Sequence, residues 1–227
     1  MTPEELAELH PRLFHVTSPT AWPGISQHGL RSATSLLELL DVPMARRIDL
    51  TTRRRASEVS VTHPLHGIAT IQDNGPLSET ALDRCLDDGL RAPDWLVLLN
   101  QRVFFWANRA GVDGLLAARV NRHRSRAILV FDTLRLVRKH VLQVEISPIN
   151  SGSTIRNPAR RGLMTFSPLA SMNYPEWRRR RGQLDHIREI VVVGEVRDIA
   201  DYLVDHWVTG SSLGVVCDRD DPTGSRR

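Results

Sequence analysis

Seven short runs of β-branched and aromatic residues punctuate this chain, and helical stretches fall between them in no regular order. LFHVTS, EVSVTH, GIATIQ, RVFFWA, RAILVF, VLQVEI and EIVVVG each have the length and residue types of a strand. SATSLLELL, SETALDRCLDDGL, RAPDWLVLLNQ, AGVDGLLAARVN, DTLRLVRKH and VRDIADYLVDHW read as helices, with Ser78 near the start and Gly89 near the end of the second. A doubly wound parallel sheet requires strict strand–helix–strand alternation, and that alternation is missing. The order therefore predicts an α+β fold with a mainly antiparallel core.

The chain has 227 residues, 41% of them hydrophobic, which suffices for one sizeable core with a large insertion. A charged fraction of 25% and a mean hydropathy of −0.25 are those of a soluble globular protein. No run of eighteen apolar residues offers a membrane span. The opening MTPEELAELHPR is acidic and lacks the apolar stretch of a secretory signal. Cys85 and Cys217 are the two cysteines, too few for a disulfide framework or a Cys-rich zinc site. The expected location is the cytoplasm. His63 and His66 in THPLHG stand three apart, but Pro64 opposes a helix presenting both, and no acid or cysteine pair accompanies them. No metal is expected.

Charge is more informative. The formal net charge is +4 and the isoelectric point about 9.8, and Lys139 is the sole lysine, so arginine supplies the excess. RRIDLTTRRR (46–55), RVNRHRSR (119–126) and RRRR (178–181) are local basic clusters. The planar guanidinium fork suits phosphate, which makes Arg53, Arg54, Arg55, Arg122, Arg124, Arg178, Arg179 and Arg180 candidate nucleic-acid contacts. The competing reading is solvated surface with arginine favoured by a GC-rich genome. Trp177, directly before the last cluster, could stack on an unpaired base, so single-stranded nucleic acid is the preferred partner.

Three segments carry possible chemistry. In RLFHVTSPTAWPGISQHGL (12–30), a strand places His15, Thr17 and Ser18 at its end and gives way to a helix closed by Gly29. In RVFFWANRAGVDGLL (102–116), an aromatic strand leads into Arg109 and a helix. In HIREIVVVGEVRDIADYLVDHW (186–207), Glu189 opens a valine-rich strand, where a carboxylate is costly to bury unless paired or used. Glu145 in VLQVEISPI is an equally strand-borne rival. The hydroxyl-rich loop SPINSGST (147–154) adds Asn150 and Ser151 as candidate ribose or phosphate ligands, with Gly152 permitting close backbone approach.

In that order, the three segments resemble the motifs of the ADP-ribosyltransferase fold, in particular DarT-type DNA ADP-ribosyltransferase toxins and RNA 2′-phosphotransferases. The chain as a whole resembles most closely an uncharacterised bacterial family with the signatures RVFFW and SPINSG. The resemblance implies a split, mainly antiparallel β-core with surrounding helices over 1–217, an insertion at about 31–100, and a disordered tail over 218–227. It implies NAD as substrate, held by His15, Thr17, Ser18, Phe105 and Arg109. Phe105 falls on the family's tyrosine position, where it keeps stacking and loses a hydroxyl. Glu189 would be the catalytic acid, with Arg109 also functional.

The expected function is NAD-dependent ADP-ribosyl transfer to nucleic acid, toxin-like, with an antitoxin as a further partner. RNA 2′-phosphotransfer and a non-catalytic, arginine-rich nucleic-acid-binding module are the alternatives. The polar connections 147–162 and 167–186 are long for plain turns and are candidate functional loops or lids.

Overall fold

The computed structural model describes residues 1–119, 121–155, 157–181 and 187–209; the tail at 218–227 lies outside the described residues. In chain order the elements are α1 (Pro3–Leu9), β1 (Arg12–Thr17), α2 (Trp22–His28), β2 (Leu30–Arg31), α3 (Ala33–Leu39), α4 (Met44–Thr52), β3 (Val59–His63) and β4 (Gly67–Ile71). They continue with α5 (Glu79–Cys85), α6 (Ala92–Asn100), β5 (Arg102–Trp106), α7 (Arg109–Ala117), β6 (Ala127–Asp132), α8 (Thr133–His140) and β7 (Val144–Ser147). The last are β8 (Ser167–Pro168), α9 (Tyr174–Arg181), β9 (Glu189–Val193), β10 (Glu195–Val196) and β11 (Leu203–Val208).

Seven strands form one sheet in the order β11-β6-β1-β5-β9-β7-β8, and its pairings are antiparallel. The expected α+β class with a mainly antiparallel core is what the chain adopts, with helices around the sheet. The sheet opens along one seam. β1 pairs with β6 along its whole length, from Arg12↔Asp132 to Thr17↔Ala127, but meets β5 only at Phe14↔Trp106. Past that pair the strands diverge, and the His15 ring reaches across to the Phe104 carbonyl.

Alternation along the strands sends side chains to two cores. Leu13, Phe105, Phe131, Ile190 and Val192 join the main core. Val191 faces the other way, onto Trp95, Leu96 and Phe166 beneath α5 and α6. β9 is covered on both faces, which is why EIVVVG is continuously apolar rather than alternating. Within 31–100, Leu37, Leu40, Val42, Leu50 and Ile71 pack α3 and α4 against the β3–β4 hairpin as a separate layer, whereas α5 and α6 pack on the sheet.

Two elements depart from the sequence expectation. VRDIADYLVDHW is not a helix: a short 3-10 turn (Ile199–Asp201) leads into β11, which pairs with β6. The wholly apolar AILVF of β6 needs a hydrogen-bonding partner on both edges, and that tertiary demand overrides local helical spacing. α4, which overlaps the basic stretch 46–55, is not legible in the sequence, because Leu50 is its one buried residue and it stands among charges. The 147–162 connection is no lid either, since Ser147, Ser151, Thr154 and Arg161 are buried in it. No helix among the described residues is long and apolar enough to cross a membrane.

Candidate functional site

The divergence of β1 and β5 opens a cavity of about 380 Å³ between the sheet, α2 and the β3–β4 hairpin. His15, Thr17, Trp106, Gly152 and Glu189 line it on the sheet side. His28, His66 and Ile68 line it on the opposite side. The volume is that of a small-molecule site.

Glu189 begins β9 and is 5% exposed. Its register partners are Trp106 on β5 and Ser147 on β7, so Trp106 shares its face of the sheet. The Ser151 hydroxyl donates to Glu189 Oε2 at 2.7 Å, and the Ser151 amide donates to both carboxylate oxygens at 3.2 Å. Burial pushes the Glu189 carboxyl up to about 7, even though the Ser151 bonds and the charges of Arg161 and Arg188 pull it down. A carboxyl poised there can hold or release a proton near neutral pH.

The rival acid has a different fate. Glu145 accepts from Arg102 Nε at 2.7 Å and Nη2 at 3.3 Å, and the Arg102 guanidinium also lies 4.4 Å over the Phe166 ring. This forked, half-buried pair is a structural tie across β5 and β7. Glu189 is the acid that faces the cavity.

His15 Nδ1 lies 2.9 Å from the Phe104 carbonyl oxygen. A carbonyl only accepts, so Nδ1 carries the proton and Nε2 is left as an acceptor on the neutral ring. Burial holds the His15 pKa below its ordinary value, which keeps the ring neutral. Thr17, on the same face of β1 as His15, is 6% exposed and also lines the cavity.

Several expected ligands are placed otherwise. Phe105 is on the cavity wall, with its ring 5.9 Å from that of His15, but it points to the opposite face from Glu189, is 1% exposed, and meets Phe131 edge to face at 5.4 Å. It also belongs to the main core, whereas Trp106, half-buried on the wall, offers an indole face on the Glu189 side. An added Cβ at Gly111 of α7 would sit 2.5 Å from Trp106 Cε3, so this glycine makes room for the indole. Arg109 does not line the cavity; it pairs with Asp113 at 2.8 Å and lies 4.8 Å over the Trp207 ring. Ser18 turns to Thr20 and a shallow surface pocket with Arg124 and Arg126. Ser151 is fully buried and acts on Glu189, while Gly152, rather than Asn150, reaches the cavity wall.

The basic clusters also divide. Arg55 is buried, donating to the carbonyls of Gln72 and Leu50 and to Asn100 Oδ1, and burial lowers its pKa to about 10. It ties the end of β4 to α4 and α6 and also lines the cavity, with three of its donors already bonded to protein acceptors. Arg53 pairs with Asp49, Arg54 donates to the Gly75 carbonyl, and Arg124 pairs with Asp73. Arg122, Arg178 and Arg179 are exposed. The Arg180 side chain lies outside the described residues, and Trp177 is half-buried against the main core. The described residues contain no group of three or more His, Cys, Asp or Glu side chains arranged to hold a metal ion.

Sequence reasoning misses Trp106 and the histidines of α2 and the hairpin. Period-two alternation would place Trp106 with Glu189 if the register were known. Nothing in the sequence joins His28 to His66.

The family model described as a family of unknown function (DUF7002) matches residues 11–203. No curated protein and no solved structure matches the chain. The matched span runs from the residue before β1 to the first residue of β11 and contains every residue of the cavity wall, so the chain belongs to the DUF7002 family, a family of unknown function.

Proposed function

We propose that the protein is an NAD-dependent ADP-ribosyltransferase, with an ADP-ribosyltransferase-like split sheet, that modifies nucleic acid. The observation that carries the reading is the convergence of neutral His15 and buried Glu189 on one cavity at the β1–β5 seam. The nicotinamide–ribose end of NAD would enter the cavity, its ring against Trp106 and its hydroxyls or amide donating to His15 Nε2. A neutral acceptor suits this place, because an imidazolium would repel the cationic nicotinamide.

Breaking the nicotinamide–ribose bond develops positive charge on the ribose, as glycoside cleavage does. Ionised Glu189, aimed at the ribose, stabilises that charge, and the acceptor's proton passes to the carboxylate as the new bond forms. Nicotinamide leaves as the neutral base with the electron pair of the broken bond. Ser151 fixes the carboxylate for this step from a loop whose carbonyl receives Trp95 Nε1 and Arg161 Nη1.

RNA 2′-phosphotransfer fits less well. It calls for several free cations facing the RNA phosphate, whereas Arg31, Arg55 and Arg102 on the cavity wall are bonded to Glu195, Asn100 and Glu145 respectively. Incubation with NAD labelled in the adenylate moiety, with single-stranded DNA or RNA, tests the proposal. Label transferred to the nucleic acid is the expected result. Loss of a 2′-phosphate, or binding without transfer, would replace it with one of the two alternatives.

A further inference from the structure

Three imidazoles from two elements meet at the cavity mouth. His28 is the last residue of α2, and His63 and His66 bracket the β3–β4 turn. The His63 and His66 rings stack with centroids 4.7 Å apart, and His28 meets His66 edge on at 4.9 Å. His63 Nδ1 accepts the amides of Leu65 and His66, which leaves Nε2 to donate to Asp41 Oδ2 at 3.3 Å. The rings thus tie the turn to α2 and to the segment after α3.

Little else holds the turn down. The base of the hairpin is fixed, with Val59, Val61, Ala69 and Ile71 packed on the α3–α4 layer. At the tip, Leu65 and Ile68 are 80% and 67% exposed, so apolar burial does not anchor it. The hairpin pairs with no strand of the main sheet, and a lone two-stranded ribbon is marginally stable.

The charges around His28 favour its neutral state. Arg31 of β2 acts on His28, and its counter-ion Glu195 of β10 is shared with Arg197. Asp41 faces His63, Glu38 of α3 is paired with Arg47 of α4, and β4 has no charged residue. Protonating His28 would place a positive charge beside Arg31 and against the edge-on His66 ring, while Asp41 faces His63. His28 Nε2 is buried without a hydrogen-bond partner, so a proton there has no acceptor.

We propose that the ring contact of His28 with His66, backed by the stacked His63, is an acid-released latch that holds the β3–β4 turn over the cavity while His28 is neutral and lets it swing away when His28 takes a proton. Desolvation and the neighbouring His66 and Arg31 lower the His28 pKa, which has the required direction. The open form binds more protons than the closed form, so closure is complete above the ordinary histidine range and is lost as pH falls through it. The latch concerns access to the proposed active site, but it is read on the hairpin itself and does not depend on NAD chemistry.

Hydrogen exchange of the whole protein, in a chelator and without nucleotide, tests it at pH 8 to pH 5. Protection of the Thr62–Ile68 amides, corrected for intrinsic rate, should fall on the order of tenfold per unit of pKa difference between closed and open forms. Amides of β1 and β6 should not change and report that the fold is intact. In H66Q, which removes the ring touching both others, protection at the turn should be independent of pH. A flat wild-type profile, or an unchanged fall in H66Q, overturns the latch. If H66Q leaves the turn open at every pH, H28Q decides: a fall equal to wild type in that variant also overturns it.

Discussion

The Ser151 hydroxyl and amide both donate to the Glu189 carboxylate, at 2.7 Å and 3.2 Å, from a loop held in turn by Trp95 and Arg161. The arrangement keeps a buried carboxyl aimed into the cavity while leaving its proton affinity near neutrality. Glu189 is therefore costly for the fold and useful for a site, which is the usual sign of a group kept for chemistry.

Replacing Glu189 should separate chemistry from stability. E189Q keeps the shape and loses the negative charge, and a loss of about 10²–10³ in transfer rate is expected for one such group. E145Q should do the opposite, lowering the melting temperature by leaving Arg102 half-buried and uncompensated, a loss of about 3–5 kcal/mol. Surviving E145Q protein should still transfer ADP-ribose. Transfer by E189Q at the wild-type rate, measured with labelled NAD, would remove the catalytic assignment.

The raised Glu189 pKa has two consequences of opposite sign. Activity requires the ionised carboxylate, so the rate should rise with pH and level off above about 7. Stability runs the other way. The folded state binds the proton more tightly than the unfolded chain, so this contribution is full below the ordinary glutamate value and is lost as pH climbs through about 7. Denaturant melts at pH 5 and pH 8 should show E189Q gaining on wild type at the higher pH, by about 1–3 kcal/mol. No gain would mean the carboxyl is not strained by burial.

How far the site can be read from sequence follows from the same residues. The strand character of LFHVTS and EIVVVG places His15 within β1, two residues before its end, and Glu189 at the start of β9, because β-branched runs bounded by polar residues have few alternatives. The choice between Phe104, Phe105 and Trp106 needs the register against β1 and β9, which is a long-range property. Arg55 reads as surface because charge clusters usually are, yet its guanidinium finds three acceptors from three separate segments. β11 is hidden behind helical spacing for a similar reason, since the open edge of β6 decides its state.

Ligand-induced melting shifts check the corrected wall. A ligand that binds the native state alone raises the melting temperature by mass action. H15A and W106A should lose the NAD-dependent shift, the first by removing the Nε2 acceptor and the second by removing the stacking face. R109A should keep the full shift, since Arg109 pairs with Asp113 outside the cavity. F105A should lower the melting temperature with or without NAD, by about 3–5 kcal/mol of lost core. A shift lost in R109A and kept in W106A would reverse the placement of the ring and the guanidinium.

The acceptor is tested through salt. Binding a polyanion releases counterions, with a log–log slope of roughly −0.7 per phosphate neutralised on a single strand and roughly −0.9 on a duplex. Arg178 and Arg179 are exposed on α9, whereas Arg55 is buried and bonded to protein acceptors. R178Q combined with R179Q should therefore make the slope shallower while leaving the melting temperature within about 0.5 kcal/mol of wild type. R55Q should instead destabilise the α4–α6 layer. Trp177 packs partly on the main core, so W177F, which preserves the packing better than alanine, is the fair test of its stacking face. Weaker single-strand binding by W177F at every salt, with duplex binding unchanged, would identify Trp177 as a base contact. Affinity independent of salt, or equal for a neutral polymer, would make these arginines solvated surface and move the acceptor to protein or a small molecule.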